Sequence, residues 1–417
     1  MTACLRIVHI NTVAGRGGAA LAAGDLMRAQ CRRGQDASML VAAVYGNHPQ
    51  TTVVPVTKDG SAGAADLYLD IVDCNDLLDH RTLRAADIVH LHNTHGDYFN
   101  PFWLTRLCSE HPVVWTLHDM HAFTGRCINS LDCERWRNGC GHCPHPEVPP
   151  VTLNDRSAEM WQLKREIASK VTVRLVTPSR WLAQRVAVSF LGDKPLTVIQ
   201  NGVDEVTFQP ADRTASRRRL GLPADGLYVG FVADRGIDTP LKGGEHVPRL
   251  AKTLRDRLGA RLVTIGGTRR EVDGDGILHL PHAFKPRDMA TFYNSLDALV
   301  SLSSAENCPL SLLESLACGV PVVAFRVGGV GEIICDGANG RLVDPGDVPA
   351  VAQACADVFR IHGARREAVR GSVVPDHSVE LTARRYDSVY LQAIRAHLTP
   401  RFVSGRPLPS SSQPRHD

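Results

Sequence analysis

Short runs of consecutive apolar residues alternate along the chain with longer amphipathic stretches. Leu5–Ile10, Met39–Val44, Asp87–Leu91 and Val113–Leu117 each read as a buried strand, separated by helical or turn-rich sequence. A second series follows at Val171–Val176, Tyr228–Val232, Arg261–Gly266, Ile277–Leu280, Leu296–Leu302 and Val322–Phe325. Runs that are apolar on both faces suit parallel strands covered by helices on both sides. Helical periodicity appears at Ala19 to Arg33, Asn154 to Lys170 (stripe Met160, Leu163, Ile167), from Trp181, at Val348–Ile361 and at Leu381–Leu398. The alternation predicts an α/β protein built on open, doubly wound parallel sheets, whose ligands bind at the carboxyl ends of the strands.

Those strand ends carry the candidate chemistry. Leu296–Leu302 runs into Ser304-Ala305-Glu306-Asn307-Cys308-Pro309, after which a helix should continue to Cys318 and stop at Gly319. Glu306 then lies in the loop and Glu314 one to two turns into the helix. The N–H groups of Leu310 and Ser311 at the helix start favour an anion. In the first half, Ile10 leads into a glycine loop containing Gly15, Gly17 and Gly18, where backbone can approach a ligand closely. His92, His95 and His118 follow strand ends; for His92 and His95 an acceptor-side role and a purely structural one are equally open. Arg326 to Glu332 is glycine-rich and reads as a flexible loop, Gly337 to Asp347 as a turn-rich element, and Arg217-Arg218-Arg219 as a solvated face.

Length and composition narrow the class. At 417 residues, 43% apolar and 22% charged, the chain suits two globular domains. A net charge of +3, with no aromatic residues interleaved in a basic patch, argues against nucleic acid. There is no apolar run of spanning length, and Met1 to Ile10 leads directly into a strand, so a cytoplasmic protein is expected. Of 12 cysteines, Cys4, Cys31, Cys74, Cys108, Cys308, Cys318, Cys335 and Cys355 are scattered and read as small buried residues. Cys127, Cys133, Cys140 and Cys143 instead follow a C-x5-C-x6-C-x2-C spacing. Four thiolates would satisfy a closed structural zinc site, with His142 or His145 able to replace one; free thiols in an insertion are the alternative.

Glu306 and Glu314, followed by Ala317-Cys318-Gly319-Val320-Pro321-Val322-Val323-Ala324, resemble the E-x7-E motif of retaining family 4 glycosyltransferases. The run His118 to Cys127, with the later cysteines, is similar to the colanic-acid type within that family, although His121 stands where an aromatic residue is usual. The resemblance covers about residues 5–398. It implies a GT-B fold: two facing Rossmann-like domains with the active site in the cleft. Residues 1–203, with a Cys-rich insertion at 125–147, would form the acceptor-side domain, and 204–380 the donor-binding domain. Residues 381–398 would be a crossing helix returning to the first domain, and 399–417 a disordered tail. It implies transfer of a sugar from a nucleotide donor, UDP- or GDP-linked, to a glycan or lipid-linked acceptor in exopolysaccharide synthesis. Glu306 would bind the sugar's hydroxyls, Glu314 the ribose, and His118 the transferred sugar. Lys242 and Arg235, with Leu310 and Ser311, would hold the diphosphate, and Gly17 and Gly18 would face the cleft. No cofactor is required, and the inner membrane surface is an expected peripheral contact. A sugar-nucleotide epimerase or hydrolase, or a zinc-knuckle binding protein, are the rival classes.

Overall fold

The computed structural model describes residues 4–399 apart from 61–64, 73–76, 97, 153, 240, 284, 363 and 364. Cys74 and the tail after residue 399 lie outside the described residues. The first half forms β1 (Arg6–Ala14), β2 (Asp36–Val44), β3 (Thr51–Val53), β4 (Thr57–Lys58), β5 (Ile71–Val72), β6 (Ile88–Leu91), β7 (Val113–Thr116), β8 (Arg174–Thr177) and β9 (Leu196–Val198). Seven of these make one sheet in the order β3-β2-β1-β6-β7-β8-β9, parallel throughout, while β4 and β5 pair separately. The second half forms β10 (Leu227–Val232), β11 (Ala260–Gly267), β12 (Glu271–Val272), β13 (Leu278–Pro281), β14 (Ala298–Ser301), β15 (Val322–Phe325) and β16 (Gly340–Val343). Their order is β12-β13-β11-β10-β14-β15-β16, and β12 alone runs antiparallel to its neighbour.

Both sheets are buried on both faces, which is why their strands read as unbroken apolar runs. Along β1, Val8 and Ile10 join one core while Ile7 joins the other, as the two-residue strand period requires. The second sheet is likewise sandwiched between two cores. Leu312, Leu313 and Leu316 of the helix Leu310–Ala317 are fully buried there, each stabilising the fold by about 1.5–3 kcal/mol.

The last helix, Val379–Leu398, begins two residues before its expected start, because the Ser378 hydroxyl accepts the Leu381 N–H and caps it. Its buried face carries Val379, Ala383, Tyr386, Tyr390 and Ala393, packed on the first sheet's outer core. Arg33–Asp387 and Arg32–Glu380 pairs tie it to the helix Gly18–Arg32. It therefore crosses back from the second half to the first. Where the chain leaves the first sheet, Val203 pairs with Ser378, which joins the outgoing and returning segments. Gly202 is needed at this junction: a Cβ there would lie 2.5 Å from Val379 Cα.

Three local expectations are corrected. Arg217 is not on a solvated face: it is 4% exposed, and its guanidinium binds Asp297 at 2.7 Å and the Ser295 carbonyl. Cys4 and Cys335 are exposed rather than buried. The segment Gly337 to Asp347, expected as turns, contains the edge strand β16.

Candidate active site

β14 ends at Ser301, and the chain turns through Glu306 into the helix Leu310–Ala317. Two donors converge on Oε1 of Glu306: the Ser303 hydroxyl at 2.8 Å and the Lys242 ammonium at 2.5 Å. Lys242 is held there by its neighbour. Gly243 has φ 73°, and a Cβ on it would lie 1.9 Å from the Leu302 carbonyl oxygen, so only glycine lets this loop press against the end of β14. Pro309 caps the helix, leaving Leu310 and Ser311 as its first residues, where backbone N–H groups have no partner within the helix. One turn on, Glu314 accepts the Tyr293 hydroxyl at 2.6 Å. Desolvation pushes the Glu314 carboxyl up to about 7; the Tyr293 bond offsets part of that rise and the nearby Asp25 charge adds to it.

The first domain supplies the facing side. Gly15 makes the tight turn after β1, since a Cβ would lie 2.0 Å from the Tyr45 oxygen. Gly17 and Gly18 are exposed, with open space where a Cβ would stand, so a ligand can reach their backbone and the start of the helix Gly18–Arg32. Arg16 binds Asp234 at 3.0 Å and so joins this loop to the loop after β10. Arg235, next to Asp234, is exposed with φ 69°, at the edge of the site. His118 follows β7. Burial pulls its imidazole down to about 4, with the Asp119 charge opposing that fall, so it is neutral at physiological pH.

The two sides are stitched together around Glu306. Asn307 Nδ2 donates to the His118 carbonyl oxygen at 2.8 Å, and its other amide atom meets the Ser179 hydroxyl. Asn201 donates to the Cys308 carbonyl at 2.8 Å. The carboxylate of Glu332 accepts the N–H groups of Arg180 and Trp181, at 2.9 and 2.8 Å, at the start of the helix Arg180–Ala187. The glycine run before Glu332 is not a free lid. Gly328 and Gly329 press on the backbone of Glu306 and Asn307, where added Cβ atoms would come within 1.7 and 2.1 Å of carbonyl oxygens. Asn307, Ser179, Asn201 and the anchoring role of Glu332 escaped the sequence reading, because each acts on a partner more than one hundred positions away.

His92 is 2% exposed and sits behind His118, so it does not line an acceptor surface. His95 is half-buried and meets Asp119 Oδ2 at 3.0 Å on the first-domain side of the cleft. The four clustered cysteines stay together in the insertion, with Cys140 near enough to Cys127, Cys133 and Cys143 for their charges to interact. Among the described residues, the group of His, Cys, Asp or Glu whose ligand atoms converge is His9, His90 and His92. Cys140 Sγ accepts the Gly125 N–H at 3.1 Å, and Cys143 Sγ lies 3.7 Å from Arg126. Burial pushes the Cys127 and Cys140 thiols up to about 12 and 11. What organises this insertion is the buried Arg126, whose guanidinium gathers the carbonyls of Pro146, Val148 and Pro150 at 2.7–3.0 Å.

Residues 16–206 match the profile described as Glycosyltransferase Family 4, and residues 227–360 that described as Glycosyl transferases group 1. The chain belongs to glycosyltransferase family 4. A D-inositol 3-phosphate glycosyltransferase of Acidothermus cellulolyticus is 36% identical over 284 residues, 62% of each chain. The putative colanic acid biosynthesis glycosyl transferase WcaC of Escherichia coli is 27% identical over 383 residues, 84% of this chain and 92% of that one. The match thus spans less than two thirds of the inositol-phosphate relative, and nearly all of the colanic-acid one. Sucrose-phosphate synthase from Thermosynechococcus elongatus superposes with a TM-score of 0.68 at 17% identity, over 94% of this chain and 99% of that one. Anabaena HepE in complex with UDP-glucose does so at 0.64 and 17%, over 93% and 99%. The fold of this family 4 glycosyltransferase is GT-B: two Rossmann-like bodies whose strand ends face one cleft. No described helix is long and apolar enough to cross a membrane.

Proposed function

We propose that this family 4 glycosyltransferase transfers a sugar, with retention of anomeric configuration, from a nucleoside-diphosphate donor to a hydroxyl of a glycan or lipid-linked glycan. The observation that carries the reading is the pairing of Lys242 with Glu306 at the end of β14, joined through Asn307 to His118 of the other domain. A carboxylate that accepts sugar hydroxyls, beside a cation that neutralises a diphosphate, is what departure of a nucleoside diphosphate demands. In this reading Glu306 orients the donor sugar and Lys242 stabilises the charge developing on the leaving phosphate. The backbone at Leu310, Ser311, Gly17 and Gly18 also faces the diphosphate, and Glu314 accepts the ribose hydroxyls. Arg235 supplies a second cation at the rim. His118 touches the transferred sugar, and His95 with Asp119 borders the acceptor.

No side chain stands as a nucleophile in this scheme. The departing phosphate oxygen takes the acceptor's proton on the face it leaves, so charge placed in advance and orientation account for the rate. Residues 1–203 then serve the acceptor and 204–380 the donor. The similarity to WcaC favours a cell-surface polysaccharide acceptor, met at the inner membrane face.

Incubation with UDP-, GDP- and ADP-sugars and a polysaccharide-repeat acceptor, read by proton NMR of the product, tests this. A product with the donor's anomeric configuration is expected. An inverted product would overturn the retaining mechanism, and free sugar alone would move the protein to the hydrolases.

A further inference from the structure

Behind His118 the first domain buries an unbroken row of polar side chains. His118 Nε2 lies 2.9 Å from His92 Nδ1, and His92 Nε2 lies 2.9 Å from His9 Nδ1. His9 Nε2 meets Gln30 Oε1 at 2.8 Å, and Gln30 Nε2 meets the Tyr390 hydroxyl at 2.7 Å. That hydroxyl reaches His90 Nδ1 at 2.8 Å, and His90 Nε2 meets Thr116 Oγ1 at 2.7 Å. Thr116 Oγ1 ends the row on the Tyr386 hydroxyl at 2.8 Å. His9, Gln30 and His90 are fully buried, and His92 and Thr116 nearly so. Although His9, His90 and His92 converge, both ring nitrogens of each are taken up by these bonds, which leaves no lone pair for a shared metal.

The proton positions follow from this connectivity. Burial disfavours the charged form of every imidazole in the row, so each carries one proton, with one nitrogen donating and the other accepting. The Gln30 oxygen can only accept, so His9 donates from Nε2 and accepts at Nδ1. His92 therefore donates from Nε2 and accepts at Nδ1, and the proton it accepts is on His118 Nε2. His118 is left with a bare Nδ1. On the other side, the Gln30 amide donates to Tyr390, whose own proton then goes to His90. Turning the Gln30 amide end for end would reverse each of these bonds and make His118 Nδ1 a donor. One amide thus sets the polarity of the whole row.

We propose that Gln30 and Tyr390 are positioning residues for sugar transfer: through His9 and His92 they hold His118 in the tautomer protonated on Nε2, with Nδ1 presented as an acceptor for a sugar hydroxyl. This rests on the reading of His118 as a contact of the transferred sugar. Tyr390 belongs to the crossing helix, so docking of that helix on the first sheet is felt at the reacting sugar. The titratable groups facing the row are Asp119 and His95 beside His118, with Tyr386 and Tyr390 from the crossing helix.

The test is nitrogen NMR of the full chain labelled at histidine, with transfer kinetics on the same samples. In the wild type, His118 is expected to show a protonated Nε2, a bare Nδ1 and no titration between about pH 5 and 8. In Gln30→Leu and Tyr390→Phe, the two nitrogens should move toward averaged shifts. Transfer should fall about tenfold to a hundredfold in kcat with the donor KM little changed. Tyr390→Phe keeps the ring and keeps the test available if Gln30→Leu does not fold. On a His118→Ala background, Tyr390→Phe should cost nothing further. Unchanged His118 tautomer signals in both variants would overturn the proposal, as would an undiminished loss on the His118→Ala background. So would a shift of these signals on adding zinc ion to the metal-free protein. Failure of the wild type to bind any nucleotide sugar would instead sink the transferase reading and leave the tautomer result standing.

Discussion

Asn307 Nδ2 donates to the carbonyl oxygen of His118 at 2.8 Å. The residue after Glu306 in the chain thus grips the backbone of the histidine facing it, so the two groups assigned to the transferred sugar are set in register by one amide. Asn307→Ala removes this bond and the contact with Ser179. At about 1 kcal/mol for each hydrogen bond, stability should fall by roughly 1–2 kcal/mol. Transfer should fall further, about tenfold to a hundredfold, because a displacement of about 1 Å is enough for that. Urea unfolding set beside initial rates checks it; equal rates in the mutant would contradict the coupling.

Lys242 pairs with Glu306, so a donor diphosphate must draw the ammonium away from that carboxylate. Lys242→Ala should abolish the gain in affinity that a nucleoside diphosphate has over the bare nucleoside, and leave nucleoside affinity unchanged. In the wild type that gain should shrink with added salt. Calorimetric titration with both ligands reads the difference directly.

Glu314 is raised to about 7 against an ordinary 4.5. A raised group contributes stability below about pH 4.5 and loses it as pH climbs through about 7. The ligand-free protein should therefore lose stability over that window, and Glu314→Gln should flatten the loss. Ribose hydroxyls donate to the ionised form, so donor binding at pH 6.5 should release a proton. Calorimetry in two buffers of different ionisation enthalpy counts it, and Glu314→Gln should bring the count toward zero.

Gly328 has φ 53°, and a Cβ on it would lie 1.7 Å from the Glu306 carbonyl oxygen. Gly328→Ala should shift the Glu306 loop and cost about 1–3 kcal/mol from the backbone strain alone. Transfer should drop with it. Gly18→Ala, where a Cβ meets nothing within 4 Å, is the control and should keep the protein's stability.

Much of this architecture was legible in the chain, because strands buried on both faces leave unbroken apolar runs and glycines mark the tight strand ends. β16 was not, since Gly340-Arg341-Leu342-Val343 is short and opens on a glycine. The buried state of Arg217 depends on Asp297, eighty positions on, which no local pattern announces. The positions of Glu306 and Glu314 were legible because the pattern itself marks the end of β14 and the helix after it, whereas Lys242 was reached only through the family resemblance. The row behind His118 was invisible: its members come from three strands and their ends and from two helices that only the fold brings together.

In the proposed function, Glu306 orients a nucleotide-bound sugar for transfer. The most direct test compares wild type and Glu306→Ala for binding and turnover of the same nucleotide sugar, with circular dichroism to show that the fold persists. The mutant is expected to bind the free nucleoside diphosphate within about threefold of wild type and to lose transfer by at least about a hundredfold, the scale for losing one placed electrostatic group. Wild-type turnover in Glu306→Ala would contradict it.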